Sequence, residues 1–290
     1  MSAGRYAPSP SGDLHVGNLR TALLAWLFAR STGRSFLMRV EDLDRVRPGA
    51  EGRQLDDLRS LGIDWDGDVV RQSDRLSLYD EAIDRLTEDG HVYSCFCTRR
   101  EILDAPSAPH TPPGSYPGTC RDLTDAERAR RAAERPAALR LRADAGDWTV
   151  DHVLHGGFTG TVDDVVLRRN DGVPAYNLAV VVDDGAQGVD QVVRGDDLLT
   201  SAPRQAYLAS LLGHEPPIYA HVPLALNTSG QRLAKRDGAV TRAELEERGV
   251  DVLALVAGSL GLEGTTPIEM LDTFDPAQLP RLPWTVVPPD

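Results

Sequence analysis

The sequence contains a single lysine, Lys235, among its 31 basic residues. Arginine holds every other cationic position, so the lone ammonium marks a place where a planar guanidinium does not serve. Acids outnumber bases, 44 to 31, leaving a net charge of −13. That balance excludes broad, nonspecific nucleic-acid binding but leaves room for a local basic patch. No apolar run is long enough to span a membrane, and the first residues lack the basic and apolar regions of a secretory leader. A cytoplasmic protein with no membrane partner is expected. Neither G-x-G-x-x-G nor G-x-x-x-x-G-K-[ST] occurs, so the two commonest nucleotide fingerprints are missing.

Cysteine is scarce too. All three of the chain's cysteines, Cys95, Cys97 and Cys120, fall in one short segment. A Cys-x-Cys pair has poor disulfide geometry, and the cytosol disfavours disulfides. Clustered thiolates suit Zn²⁺, which needs a fourth ligand to close a structural tetrahedron. On chemistry alone His110 is the first choice.

What is present begins with the first forty residues. Arg5 and Tyr6 close a short strand. A Pro/Gly/Ser loop from Ala7 to Gly12 follows, then Leu19, Leu23, Leu24, Leu27 and Phe28 at helical spacing up to Gly33. Ser35 to Val40 reads as a second, buried strand, followed by Glu41. Such a βαβ unit builds a parallel sheet, whose ligands sit beyond the strands' carboxyl ends. The loop and Glu41 therefore share a rim. The helix start there suits a phosphate, and His15 and Asn18, one turn apart, are both expected to face it.

Further along, helices are expected over 51–61, from Ser73 or Asp74, and over 202–212. Thr124-x-x-Glu127 and Thr241-x-x-Glu244 read as capping boxes. Ala138 to Arg142 reads as a strand with Arg140 and Arg142 on a wet face, or on RNA phosphate. Asn170-Asp171-Gly172 signals a hairpin between strands at 165–169 and 173–182. Gln191 to Leu199 and Ile218 to Leu224 read as strands, with Arg194 at a carboxyl end.

The stretch from Ala7 to Asn18 resembles the first signature of class I aminoacyl-tRNA synthetases, in the form carried by glutamyl-tRNA synthetases. Arg232-Leu233-Ala234-Lys235-Arg236 resembles their second signature, Lys-Leu-Ser-Lys-Arg. It departs at Arg232 and at Ala234, which lacks the serine hydroxyl. The pattern Cys95-x-Cys97…Tyr116-x-x-x-Cys120 is similar to the zinc site of short members of the family. It points to Tyr116 as fourth ligand, with His110 as the alternative.

The resemblance covers nearly the whole chain and implies an α/β fold: a Rossmann catalytic domain split by a zinc-containing α+β connective segment. Residues 1–90 and 186–240 would be its halves, 91–185 the inserted segment, and 241–290 a short helical C-terminal segment, with no anticodon-binding domain. The implied activity is ATP-dependent activation of L-glutamate, with Mg²⁺ accompanying ATP and one structural Zn²⁺. Implied catalytic residues are His15, Asn18 and Lys235. ATP would be bound by Pro8, His15, Gly17, Asn18, Leu233, Lys235 and Arg236. Glutamate would be bound by Arg5, Ala7, Ser9, Glu41, Tyr176 and Arg194. Two arginines and one carboxylate complement the charges of glutamate and argue against glutamine. The short length and zinc segment narrow the resemblance to truncated members, which place glutamate on queuosine in the anticodon of tRNA(Asp). A monomer is expected. The rivals are a glutamate ligase acting on another RNA, a carrier protein or a small molecule, and a regulatory paralog without turnover.

Overall fold

The computed structural model describes residues 2–104, 116–233 and 241–287. The N-terminal part runs β1 (Ala3–Tyr6), α1 (Val16–Ser31), β2 (Ser35–Val40), α2 (Ala50–Ser60), β3 (Val70–Arg71) and α3 (Leu76–Glu88). Next come β4 (Val92–Cys95), α4 (Arg99–Leu103), α5 (Asp125–Glu134), β5 (Ala138–Leu141), β6 (Asp147–His152), β7 (Gly156–Thr161) and β8 (Val166–Arg168). Then follow α6 (Tyr176–Ala186), β9 (Val189–Gly195), α7 (Ala202–Leu211), β10 (Ile218–Val222) and β11 (Ala225–Leu226). The chain finishes with α8 (Arg242–Glu247), α9 (Val252–Leu260), α10 (Pro267–Leu271) and β12 (Trp284–Thr285).

Seven strands form the main sheet in the order β3-β2-β1-β9-β10-β6-β7. All are parallel to their neighbours except β7, which pairs antiparallel with β6. The carboxyl ends of β1, β2, β9 and β10 therefore meet at one rim. Strands β6 and β7, from within 91–185, extend this main sheet, while β4, β5 and β8 make a separate antiparallel one.

Helix α1 is the centre of the core. Twelve of its sixteen residues are buried, on all sides, because it packs on the sheet and is covered by α9 and α10. Its approach to β1 is close: a Cβ on Gly4 would sit 2.9 Å from the Cβ of Ala29.

Both capping boxes form as read, at Thr124/Glu127 and Thr241/Glu244. The strand read over Gln191 to Leu199 stops at Gly195, where a 3₁₀ turn over Asp196–Ser201 begins, and three further local expectations are overturned. The turn at Asn170–Gly172 exists, with Gly172 at φ 87°, but its return arm is one bridge, Arg168 to Pro174. The run then winds into α6, so 173–182 is not a strand. The strand preference of valine spans only about 1 kcal/mol. Burial of Leu178 to Val182 against α3 and α7 outweighs it, at roughly 1.5–3 kcal/mol per large side chain. Secondly, neither Ser73 nor Asp74 caps α3. Arg75 is the N-cap, after a short 3₁₀ turn, and Ser73 donates instead to Asp42. Thirdly, Arg140 is neither wet nor open to RNA. It is buried, donates to the Asp164 carbonyl, and lies 3.8 Å over the Tyr116 ring.

Candidate active site

The phosphate-type corner is built by the start of α1. His15 is the N-cap, and its Nδ1 accepts from the Asn18 backbone N–H at 3.2 Å. The Asn18 Oδ1 accepts from the His15 N–H at 3.2 Å. The two residues read as both facing a ligand thus hold one another first, which fixes the imidazole at the rim. Gly17 is required by close packing: a Cβ there would meet the Ala225 Cβ at 2.8 Å and the His15 ring at 3.1 Å. Pro8 is buried and Ser9 exposed. The Pro8 carbonyl accepts from the Glu41 N–H at 3.0 Å, and Gln54 clamps the Ser9 and Gly12 carbonyls. Loop and Glu41 are thereby joined. Leu233 is buried in the core. Lys235 and Arg236 lie outside the described residues, as does His110. Their described neighbours are anchored beside α1: Leu233 donates to the Ala225 carbonyl, and Thr241 bridges His15.

Behind the rim lies a buried ion network. Arg5 donates to Asp184 at 3.2 Å. Arg39, fully buried in β2, donates to the same carboxylate at 2.8 Å and lies 3.8 Å from Glu41. Asp183 accepts from Arg75 at 2.6 Å, Gln72 at 2.8 Å and Tyr79 at 2.9 Å. Burial pushes the Glu41 carboxyl up, although Arg39 and Arg5 pull it back. Burial also opposes the charge on Asp184, but Arg5 and Arg39 outweigh it and hold the carboxyl below its usual range. Three cations (Arg5, Arg39, Arg75) face three carboxylates (Glu41, Asp183, Asp184), so this network is balanced. The Asp183-Asp184 pair carries much of it and went unread in the sequence. Its signal was an arginine inside the apolar strand Ser35 to Val40, which demands a buried partner.

Arg194 stands outside that balance. It is buried at the end of β9, and among the described residues no carboxylate forms an ion pair with it. Its Nε donates to His221 Nε2 at 3.0 Å. Its terminal nitrogens donate to Gln205 Oε1 at 2.7 Å, the Leu198 carbonyl at 3.3 Å and the Tyr176 hydroxyl at 3.5 Å. Asp196, two residues further along the chain, is not among these partners. Tyr176, at the start of α6, has its hydroxyl pushed up by burial and by Glu41, against Arg194 and Arg5. Arg5, Glu41, Tyr176 and Arg194 are thus brought together electrostatically.

His221 stacks on His152, with nitrogens 3.1 Å apart. Burial, then the Arg194 charge, lowers His221 to about 2. Burial, then His155, lowers His152 to about 4. Folding therefore favours both neutral imidazoles. Their contribution is complete above the unfolded value near 6.5 and is lost as pH falls below it, by about 1.4 kcal/mol per pH unit per histidine. The melting temperature should drop steeply between pH 6.5 and 4. A His152→Gln variant, measured by calorimetry over that range, should show a shallower slope; an unchanged slope would remove His152 from the account.

The sulfur atoms of Cys95, Cys97 and Cys120 all lie within 4.8 Å of one another. Cys97 and Cys120 are 3.5 Å apart, and the Tyr116 hydroxyl lies 3.4 Å from Cys95 and 4.0 Å from Cys97. A tetrahedral site with Zn–S bonds of about 2.3 Å has edges of about 3.8 Å, so the donor set fits a metal ion. Burial and the neighbouring sulfurs push the Cys97 thiol up to about 12, so a cation would relieve the crowding. The nearby cavity of about 700 Å³ is bordered by Cys97, Tyr116, Arg99, Arg135 and Arg140, not by the rim residues.

Parallel sheet, helix-start corner and charged rim define the class: the family model described as tRNA synthetases class I (E and Q), catalytic domain, matches residues 3–281. A glutamate tRNA ligase from Elizabethkingia meningosepticum, solved with its amino acid, superimposes with a TM-score of 0.82 at 26% identity, over 99% of this chain and 67% of that one. The glutamyl-Q tRNA(Asp) synthetase of Nocardia farcinica is 69% identical over 286 residues, 97% of this chain and 92% of the relative. That of Cutibacterium acnes is 54% identical over 280 residues, 93% of this chain and 80% of the relative. The chain belongs to the glutamyl-Q tRNA(Asp) synthetase family of class I synthetases.

Proposed function

We propose that this chain activates L-glutamate with ATP and transfers it to the queuosine base in the anticodon of tRNA(Asp), leaving the 3′ end uncharged. The observation that carries the glutamate reading is the charge count at the rim. Among the described residues three cations balance three carboxylates, and buried Arg194 remains over. A substrate with net charge −1 restores neutrality; glutamine, with net charge zero, does not. Arg5 and Arg194 take the carboxylates, Glu41 takes the ammonium, and Ala7, Ser9 and Tyr176 complete the pocket with neutral contacts.

In the first step the glutamate α-carboxylate attacks the α-phosphate and pyrophosphate leaves. The chain contributes position and charge rather than a covalent intermediate. His15, Gly17 and Asn18 receive phosphate at the start of α1, with Pro8 and Leu233 beside the nucleotide. Lys235 and Arg236 neutralise the departing pyrophosphate, together with the Mg²⁺ that ATP brings. Cys95, Cys97, Cys120 and Tyr116 would hold one Zn²⁺, which when bound supplies a cross-link and no reaction step. The queuosine acceptor follows from the family to which the chain belongs.

The first experiment is transfer of labelled glutamate to tRNA(Asp) with queuosine, the same tRNA without it, and tRNA(Glu). Label on the first alone supports the proposal, and label on tRNA(Glu) overturns it. ATP–pyrophosphate exchange with glutamate alone separates an enzyme from the regulatory reading that the Ala234 departure favours. In that assay Lys235→Arg should lose about 10²-fold or more, as removal of a charge-stabilising donor does elsewhere. Near-normal exchange would end the argument from the sole lysine.

A further inference from the structure

Buried arginines usually sit against carboxylates, because an uncompensated cation costs several kcal/mol. Arg39, at the same rim, follows that rule. Arg194 does not. Its closest partners are a neutral amide oxygen on α7, 2.7 Å away, and a neutral imidazole nitrogen on β10, 3.0 Å away.

Both partners are themselves fixed. Gln205 is 2% exposed, and its amide nitrogen donates to Asn177 Oδ1 at 2.9 Å. That bond sets the amide so that Oε1 faces the arginine. His221 is 1% exposed. Since its Nε2 accepts from Arg194, its proton sits on Nδ1, 3.1 Å from His152 Nε2. The guanidinium also lies 5.4 Å over the Tyr219 ring, another uncharged contact. Orientation is thus secured on the Nε and inner terminal edges. The longest contacts, to Leu198 and Tyr176, fall on the terminal nitrogens that form the fork.

We propose that Gln205 and His221 are positioning residues for substrate selection: they fix Arg194 with neutral acceptors, so that its full charge is offered to a substrate carboxylate. This rests on the reading of Arg194 as a glutamate-binding group. Glutamate at position 205 would fill the same space and hold Arg194 more tightly, yet it would cancel the charge that the substrate needs. Neutral acceptors give the orientation without the cancellation.

The test uses the zinc-loaded full chain in glutamate-dependent ATP–pyrophosphate exchange, titrating glutamate and ATP separately. The variants are Gln205→Glu, Gln205→Met and Arg194→Met. Gln205→Glu should raise the glutamate KM about tenfold or more, by analogy with charge changes at buried ion pairs, with the ATP KM within about twofold. It should cost more glutamate affinity than Gln205→Met, although it keeps the hydrogen bond and the methionine does not. A purely structural role gives the opposite order, and that order overturns the proposal. If Gln205→Glu does not fold, His221→Glu brings a carboxylate to the Nε edge and is judged by the same ranking against His221→Gln. Arg194→Met separates the two levels. If it alone raises the glutamate KM, the neutral cradle is wrong and the binding reading stands. If it leaves the glutamate KM unchanged, the binding reading fails first.

Discussion

Arg194→Met is expected to lower glutamate kcat/KM by about 30- to 5,000-fold, mostly through KM, while the ATP KM stays near the parent value. The range follows from the roughly 2–5 kcal/mol lost when one partner of a buried, hydrogen-bonded charge pair is removed. Stability should respond differently. Truncation strands the acceptors on His221 and Gln205, a cost of about 1–3 kcal/mol. It also removes a buried cation with no carboxylate partner among the described residues, which is a gain. The two effects oppose, so the melting temperature should move little while glutamate use collapses. Parallel loss of stability, ATP affinity and glutamate affinity would mean that Arg194 is a structural residue. Unchanged glutamate KM would remove it from the site.

The parts of this site that were legible in the sequence are those that announce themselves locally. The loop from Ala7 to Gly12 and the helix start at Val16 follow from Pro, Gly and the apolar period, and both lie where the βαβ reading put them. Glu41 and Arg194 fall at strand carboxyl ends as expected. The three sulfurs come together as their clustering suggested, and Tyr116, which only the family resemblance pointed to, lies 3.4 Å from Cys95. The illegible parts are long-range. Asp184 serves Arg5 and Arg39 across 179 and 145 residues of chain, and no local pattern carries that pairing. The valines before it favour a strand by propensity, and only the packing of α6 reverses the reading. Gln205 and His221 are buried polar residues, 11 and 27 residues from Arg194. Their signal, a polar group where the period calls for an apolar one, is visible in retrospect but names no partner. Arg140 shows the converse: alternation placed it on a face, and the ring of Tyr116 decided what that face met.

Cys120→Ser is expected to lose the metal and loosen the small sheet that surrounds it. Cys120 is the ligand candidate that ties the two halves of the cluster together. Its sulfur lies 3.5 Å from Cys97 and accepts from the Phe96 N–H at 3.5 Å and from Arg131 at 3.6 Å. Serine is a poor zinc ligand, and the loss should exceed the roughly 10–100-fold that changes to outer-shell partners cause. Because a structural site's binding free energy is also folding free energy, the packing of Tyr93, Cys95, Phe96 and Cys120 should weaken with it. The measurements are zinc per chain by elemental analysis, affinity by competition with a chromophoric chelator, and the rate of proteolysis between β4 and α5. Full zinc stoichiometry in the variant would exclude Cys120 from the ligand set. Full loss of zinc with unchanged proteolysis would mean that the site binds metal without holding the segment together. Tyr116→Phe asks the remaining question in the same assay, since it removes only the hydroxyl and leaves the ring under Arg140. A zinc affinity that falls there too makes Tyr116 the fourth ligand, and an affinity that holds returns the choice to His110.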